Sequence, residues 1–314
     1  MDLSYGSAVE DNKEEVFLVK QKRTLTIAFL AFAGLLALYA GIRFYTQKQS
    51  NQKAASSKII IKKLNSITSI SYYNGSNLSF TKKNGKWYYT KNKDYPLIQS
   101  SINSIVSPFQ NMEAVRKLGK GDSLSDYGLD HPSYTIHVKD KSGNRTTFYI
   151  GNETGDNYYL TIDDKSTIYT ISSNSISSLS SSLSDLIKTD SFPALSTGNL
   201  KKVVITKNGK ATIYSSTSKK NSLDGIAGGL GVFTFGDCQN YAVKNSELSK
   251  YGLDTRKRIS VDITYKDTTT KKKKSLTLYI GSMDQKKKNY YVKLKNSRMV
   301  YLTDAEVVKN VLNP

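Results

Sequence analysis

Ser123–Val138 reads SLSDYGLDHPSYTIHV, and the chain later returns to the same theme, Glu247–Ile263 reading ELSKYGLDTRKRISVDI. Tyr127-Gly128-Leu129-Asp130 recurs as Tyr251-Gly252-Leu253-Asp254, 124 positions on. Downstream, Phe148-Tyr149-Ile150-Gly151 recurs as Leu278-Tyr279-Ile280-Gly281, and Asn157-Tyr158-Tyr159 as Asn289-Tyr290-Tyr291. Tyr169 and Tyr301 then each follow the second tyrosine of that pair by ten residues. Four landmarks in one order mark a duplication. The step from the first tyrosine to the YIG tyrosine is 22 residues in copy one and 28 in copy two. The surplus contains Lys271–Lys274, which predicts a hairpin lengthened at its tip, where insertions cost least.

Outward from these landmarks each copy reads mostly as β. In copy one, Ile67–Tyr73, Leu78–Lys82 and Lys86–Thr90 are short strand-like runs separated by Asn74-Gly75 and Asn84-Gly85. Asn-Gly favours tight hairpins because both residues tolerate positive φ. Ile98, Ile102, Ile105 and Phe109 recur at helical spacing after Pro96. Strands are predicted at Tyr134–Lys139, Arg145–Ile150, Tyr158–Ile162 and Thr167–Ile171, and Ile176, Leu179, Leu183, Leu186 and Ile187 predict a serine-rich closing helix. Copy two repeats the plan with Lys202–Thr206, Ala211–Ser215, Ile259–Tyr265, Ser275–Ile280, Tyr290–Lys293, Met299–Leu302 and a final helix Asp304–Leu312. Gly225, Gly228, Gly229 and Gly231 predict that its first helix is short or broken. The fold class is therefore α+β: two tandem, duplicated, mostly antiparallel β modules with flanking helices, not a doubly wound parallel sheet. Module one spans 66–190, a linker holding Pro193 spans 191–199, and module two spans 200–314.

Thr24–Ile42, TLTIAFLAFAGLLALYAGI, is 19 residues without a charge, flanked by Lys20, Lys22 and Arg23 before and Arg43 after. A helix of that length rises roughly 28 Å, close to the bilayer's hydrocarbon thickness. The run predicts a single transmembrane helix acting as an uncleaved signal anchor, between a cytoplasmic tail (1–23) and a polar stalk (43–65). Ala31-Phe32-Ala33 fits a cleavage site but leaves little apolar sequence before it. Flanking charge does not decide orientation. The long domain after the only apolar span, rich in Ser, Thr, Asn, Tyr and Lys, places the amino end inside and the bulk outside the cell membrane.

These landmarks resemble a bacterial family known only as a domain of unknown function, with an amino-terminal anchor and duplicated halves. Each half of that family carries a YGLD-P-like turn and an iG…yY…vY hairpin, and the resemblance covers roughly residues 60–314. Asp130-His131-Pro132 keeps the proline of the turn, whereas Asp254-Thr255-Arg256 lacks it. The resemblance implies a bacterial setting beside gliding-motility-type ABC transporter genes with a large extracytoplasmic subunit, and it implies no chemistry.

The residues themselves exclude several chemistries. One cysteine, Cys238, leaves no intramolecular disulfide and no multi-cysteine metal site. His131 and His137 have Asp126 and Asp130 as their only obvious acidic neighbours, so a metal site is not expected. Asp130 and Asp254 recur without a repeating general-acid partner, which favours bonding to their own turns over catalysis. No nucleophile elbow or phosphate loop is present, and Gly228-Gly229-Leu230-Gly231 lacks the Lys-Ser/Thr such a loop needs. No catalytic residue, metal or cofactor is expected. In each of the pairs Tyr72-Tyr73, Tyr88-Tyr89, Tyr158-Tyr159 and Tyr290-Tyr291, one ring is predicted to face the core and the other to be half-exposed.

Charge is the strongest chemical signal. The chain carries a net charge of +20, and residues 200–314 hold 23 basic and 9 acidic side chains. Lys271, Lys272, Lys273 and Lys274, with Lys286, Lys287 and Lys288, read as one patch on neighbouring loops that attracts an anionic partner. The expected role is a non-enzymatic, membrane-anchored, extracytoplasmic accessory or binding subunit of a cell-envelope complex, beside an ABC transporter. Two alternatives are a basic-surface binder of anionic wall polymer or lipid, and a cell-envelope hydrolase or transferase using Asp130 and Asp254. Nucleic acid is not an expected partner outside the cell.

Overall fold

The computed structural model describes residues 34, 37–43, 59–217 and 223–313. Gly34 and residues 37–43 are helical, but most of the apolar run, the tail and most of the stalk lie outside the described residues, and the predicted membrane anchor with them. No helix among the described residues is long and apolar enough to cross a membrane. Both copies fall within one unit, residues 61–314.

Copy one opens with β1 (Ile59–Lys63) and then a meander of β2 (Ile67–Tyr73), β3 (Asn77–Lys83) and β4 (Lys86–Tyr89). The β3–β4 turn is Asn84 at φ 51° followed by Gly85 at φ 78°, the left-handed pair that a tight hairpin demands. A helix, Gln99–Gln110, buries Ile102, Ile105, Val106 and Phe109 and carries Pro108 inside it. After β5 (Asn111–Ala114) and β6 (Arg116–Gly119), the YGLD turn leads into β7 (Tyr134–Asp140), β8 (Arg145–Thr154), β9 (Asn157–Ile162) and β10 (Ile168–Ser172). Copy two supplies β11 (Leu200–Lys207), β12 (Lys210–Ser215), a helix Leu223–Gly231, β13 (Cys238–Asn240), β14 (Ile259–Lys266), β15 (Lys273–Met283), β16 (Asn289–Leu294), β17 (Val300–Asp304) and a final helix Ala305–Leu312.

The two large sheets have one topology. Their strand orders are β4-β3-β2-β7-β8-β9-β10-β6 and β12-β11-β14-β15-β16-β17-β13, so each strand of the second matches one of the first and, among the described residues, only β4 of the first sheet has no counterpart. The ladders within both sheets are antiparallel. The irregularities match as well: the register shifts between Ile150 and Glu153 in β8 and between Ile280 and Met283 in β15. One hydrophobic core runs through both copies, taking in Ile70, Phe80, Phe109 and Phe148 from the first and Val203, Ile226, Leu278 and Val308 from the second. Each such buried side chain contributes roughly 1.5–3 kcal/mol before conformational entropy is counted.

One segment differs from the sequence expectation. The serine-rich helix is instead three short 3-10 turns, Ser173–Ser175, Ser177–Ser180 and Ser184–Leu186. Serine hydroxyls there bond nearby backbone, as Ser180 does to the Ser177 carbonyl at 2.8 Å, and so compete with a continuous helix. The glycine-rich helix is short but unbroken, and Gly229 serves close approach: a methyl group there would lie 2.8 Å from the Asn310 backbone of the final helix. The segment 191–199 is packed, with Leu195 buried and Phe192 against Phe233, ring centroids 4.5 Å apart. The tyrosine pairs are mixed: Tyr72 is buried and Tyr73 exposed, while Tyr158, Tyr159, Tyr290 and Tyr291 are all half-buried.

Candidate functional site

The repeated YGLD stretch is a 3-10 turn closed by a left-handed glycine, and it is built the same way twice. Gly128 and Gly252 both sit at φ 64°. Gly128 N–H donates to the Ser125 carbonyl and Leu129 N–H to the Leu124 carbonyl; Gly252 and Leu253 do the same to Ser249 and Leu248. At the front of each turn a carboxylate reaches back: Asp126 accepts from Ser123 N–H at 3.0 Å and Glu247 from Lys244 N–H at 2.9 Å. Leu129 and Leu253 are fully buried.

What the turn rests on is the glycine of the other repeated motif. A methyl group at Gly151 would lie 2.1 Å from the Tyr127 carbonyl oxygen, and one at Gly281 2.1 Å from that of Tyr251. The tyrosine ring then meets the second tyrosine of the NYY motif edge-on, Tyr127 on Tyr159 at 4.8 Å and Tyr251 on Tyr291 at 5.1 Å. Three sequence landmarks of each copy therefore form one packed lock. The aspartates that follow hold their own turns: Asp130 Oδ1 accepts from His131 N–H at 2.9 Å and Asp254 Oδ1 from Arg256 N–H at 3.1 Å. Asp254 Oδ2 is buried without a hydrogen bond. His131 is in the exposed turn, whereas His137 lies on β7 with Nδ1 3.1 Å from Thr147 Oγ1. The described residues contain no group of three or more His, Cys, Asp and Glu that could hold a metal.

The two lysine runs do not make one patch, and this corrects the sequence reading. Lys271–Lys274 sit at the start of β15 and Lys286–Lys288 beyond its end. Nine strand residues, Ser275–Met283, lie between them, roughly 30 Å. The first run forms the lengthened tip of the β14–β15 hairpin, where Asp267 accepts from the Lys274 ammonium at 2.6 Å. That hydrogen bond, with others from Thr270, holds the Asp267 carboxyl well below the usual carboxylate range. The second run occupies the β15–β16 turn.

Strand register gathers a different set of cations around Lys286–Lys288. Thr206 lies beside Ser260, and Ser260 beside Tyr279, so the β11–β12 turn, the loop before β14 and the β15–β16 turn share one end of the sheet. That end carries Lys207, Lys210, Arg256, Lys257, Lys286, Lys287 and Lys288, all exposed. Its turn acid Asp284 bonds the Asn289 side chain and backbone and the Lys288 N–H, which lowers its pKa. The matching end of copy one holds Asn74, Gly75, Ser76, Asp130, His131, Gly155 and Asp156, with no lysine or arginine among them. The framework is duplicated, and this surface is not.

A further set of residues, not singled out by the sequence, lines the seam between the copies. A cavity of about 310 Å³ is bordered by Asp94, Lys188 and Asp190 from copy one and by Tyr241 and Arg298 from copy two. Arg298 donates to Asp94 Oδ2 at 3.0 Å, and Tyr301 hydroxyl donates to Asp190 Oδ2 at 3.2 Å. Burial pushes the nearby Cys238 thiol up to about 11, so it stays protonated and unreactive at neutral pH. Lys293 is buried with its ammonium on the carbonyls of Leu294, Lys295 and Ser297, and burial holds its pKa below the ordinary lysine value. At the same place copy one uses Thr161, whose hydroxyl donates to the Thr167 carbonyl at 2.8 Å. Spacing within a copy carries no sign of these contacts, because they join residues up to 204 positions apart.

The family described as Domain of unknown function (DUF4340) matches residues 87–223 and, in a second overlapping copy, residues 219–313. The first match takes in β11 and β12, so the matched boundary falls inside the second sheet and not between the two. No curated protein and no solved structure matches the chain.

Proposed function

This chain belongs to the DUF4340 family, a domain of unknown function present here in two copies, and we propose that it is a non-enzymatic accessory subunit of a bacterial cell-envelope complex. In this reading residues 24–42 anchor it in the cell membrane, the duplicated unit lies outside, and an ABC transporter is the neighbour it docks with. The observation that carries the proposal is the divergence of the two equivalent sheet ends. Both copies keep the same lock, yet one end is neutral to acidic and the other presents seven exposed cations that outnumber the acids beside them, Asp254, Asp284, Asp304 and Glu306. A surface of one sign steers association with a surface of the opposite sign and falls off with salt. The docking partner is accordingly an acidic protein face. The repeated aspartates support recognition over hydrolysis, since Asp130 and Asp254 each bond their own turn.

Crosslinking of the full-length protein in its own membranes, followed by affinity recovery, tests this. Transporter subunits at near-stoichiometric yield are the expected result. Recovery of the protein with anionic wall polymer or lipid, and no transporter subunit, would replace this reading with direct binding of that polymer or lipid by the same cations.

A further inference from the structure

The outward face of the first sheet has a concavity of about 500 Å³ on β2, β7 and β8 beside the β7–β8 turn, within the range of roughly 300–1,000 Å³ typical of small-molecule sites. Two rows of side chains line it. Ser69, Lys139 and Arg145 stand side by side across β2, β7 and β8, and Ser71, His137 and Thr147 form the next row. Lys139 and Arg145 are direct cross-strand neighbours, an arrangement that like charges make unfavourable. Among the described residues neither forms an ion pair. Asp140, next to Lys139 in the chain, is buried and accepts from Asn144, and Asp163 accepts from Thr147 N–H and pairs with Lys62 at 3.4 Å.

Copy two has a concavity of about 440 Å³ over the matching strands β14 and β15, displaced toward the end of β16 and lined there by Leu294, Lys295 and Asn296. The repeat equates Lys139 with Thr264, Arg145 with Ser275 and His137 with Asp262. There the groups satisfy one another: Thr277 hydroxyl donates to Asp262 Oδ1 at 2.6 Å, and Thr264 and Ser275 hydroxyls lie 3.3 Å apart. Across the two central strands copy two carries hydroxyls and a carboxylate where copy one carries two cations and an imidazole, while Lys202 beside Thr264 and Lys295 supply the cations of copy two's groove at its sides.

We propose that the groove of Ser69, Ser71, His137, Lys139, Arg145 and Thr147 binds the phosphate group of a small soluble molecule. Two cations across one strand pair, an imidazole held by Thr147 and flanking hydroxyls provide charge-assisted donors converging on one oxyanion. The bound phosphate relieves the Lys139–Arg145 repulsion, which is why the unpaired cations are tolerated. A concave site suits a compact soluble ligand and not a flat bilayer.

The test uses the full-length chain in detergent, titrated with inorganic phosphate and with glycerol 3-phosphate. With two histidines in the chain, His131 serves as an internal control: phosphate is expected to shift the His137 ring resonances and leave those of His131 in place. K139T and R145S, which install the side chains copy two carries, are expected to weaken binding about tenfold or more. Without phosphate, K139T is expected to melt no lower than wild type, and added phosphate should raise the melting temperature of wild type only. The proposal is overturned by an unmoved His137 signal, by equal affinity in K139T and R145S, or by binding confined to phosphatidylglycerol vesicles.

Discussion

Alanine at Gly151 should cost the protein about 3 kcal/mol of stability or more, and alanine at Gly281 the same. The added methyl would lie 2.1 Å from a backbone carbonyl oxygen, which cannot rotate away as a side chain can. Relief requires lifting the YGLD turn off the sheet, and that move withdraws fully buried Leu129 and separates the Tyr127 ring from Tyr159. The same arrangement in copy two gives Gly281→Ala the same outcome through Tyr251, Leu253 and Tyr291. Gly143→Ala is the control. Gly143 has φ +91° with nothing within 4 Å, so its substitution carries only backbone strain, about 1–2 kcal/mol. Urea unfolding followed by circular dichroism separates the two cases. Equal midpoints for Gly151→Ala and Gly143→Ala would mean that the turn does not rest on the glycine.

Trp87→Ala should be comparably damaging, about 3–5 kcal/mol. The lone tryptophan is 1% exposed, on β4, the strand of the first large sheet with no counterpart among the described residues of copy two. Its indole N–H donates to Asn103 Oδ1 at 3.0 Å. The Gln99 side chain brackets its backbone, accepting from Trp87 N–H at 2.8 Å and donating to its carbonyl at 3.1 Å. Truncation thus opens a cavity and strands Asn103, loosening the helix Gln99–Gln110 from the meander. Because a single core runs through both copies, the damage should lower one cooperative transition for residues 61–314 as a whole. A two-step melt, with the copy-two step unmoved, would show instead that the copies unfold independently.

Much of this architecture is legible in the amino-acid sequence, for identifiable reasons. The strands alternate, Asn84-Gly85 and Asn208-Gly209 have the dihedral freedom their turns use, and the Tyr-Gly-Leu-Asp recurrence exposes the duplication. The link between Tyr127 and Gly151 is not legible, because a repeated glycine and a repeated turn show that both matter without showing that one sits on the other. Lys271–Lys274 and Lys286–Lys288 look adjacent at a separation of about a dozen residues, yet an eleven-residue strand holds them apart. Conversely, Lys207 is far from Lys286 in sequence, and only sheet register brings their turns to one end. The apolar spacing of the serine-rich segment predicts a helix, but hydroxyl-to-backbone bonds break it into short turns. Short strands β5, β6 and β13 have no pattern of their own and exist through their partners.

The claim that one copy's diverged end is the docking surface has a direct test. Partner recovery from crosslinked membranes is compared for wild type, for a variant carrying K207Q, K286Q, K287Q and K288Q, and for a variant carrying K271Q, K272Q and K273Q at the other end of β15. All three should melt alike, since the substituted lysines are exposed. The predicted result is loss of the partner in the first variant and retention in the second. Retention in the first, or loss only in the second, would contradict it.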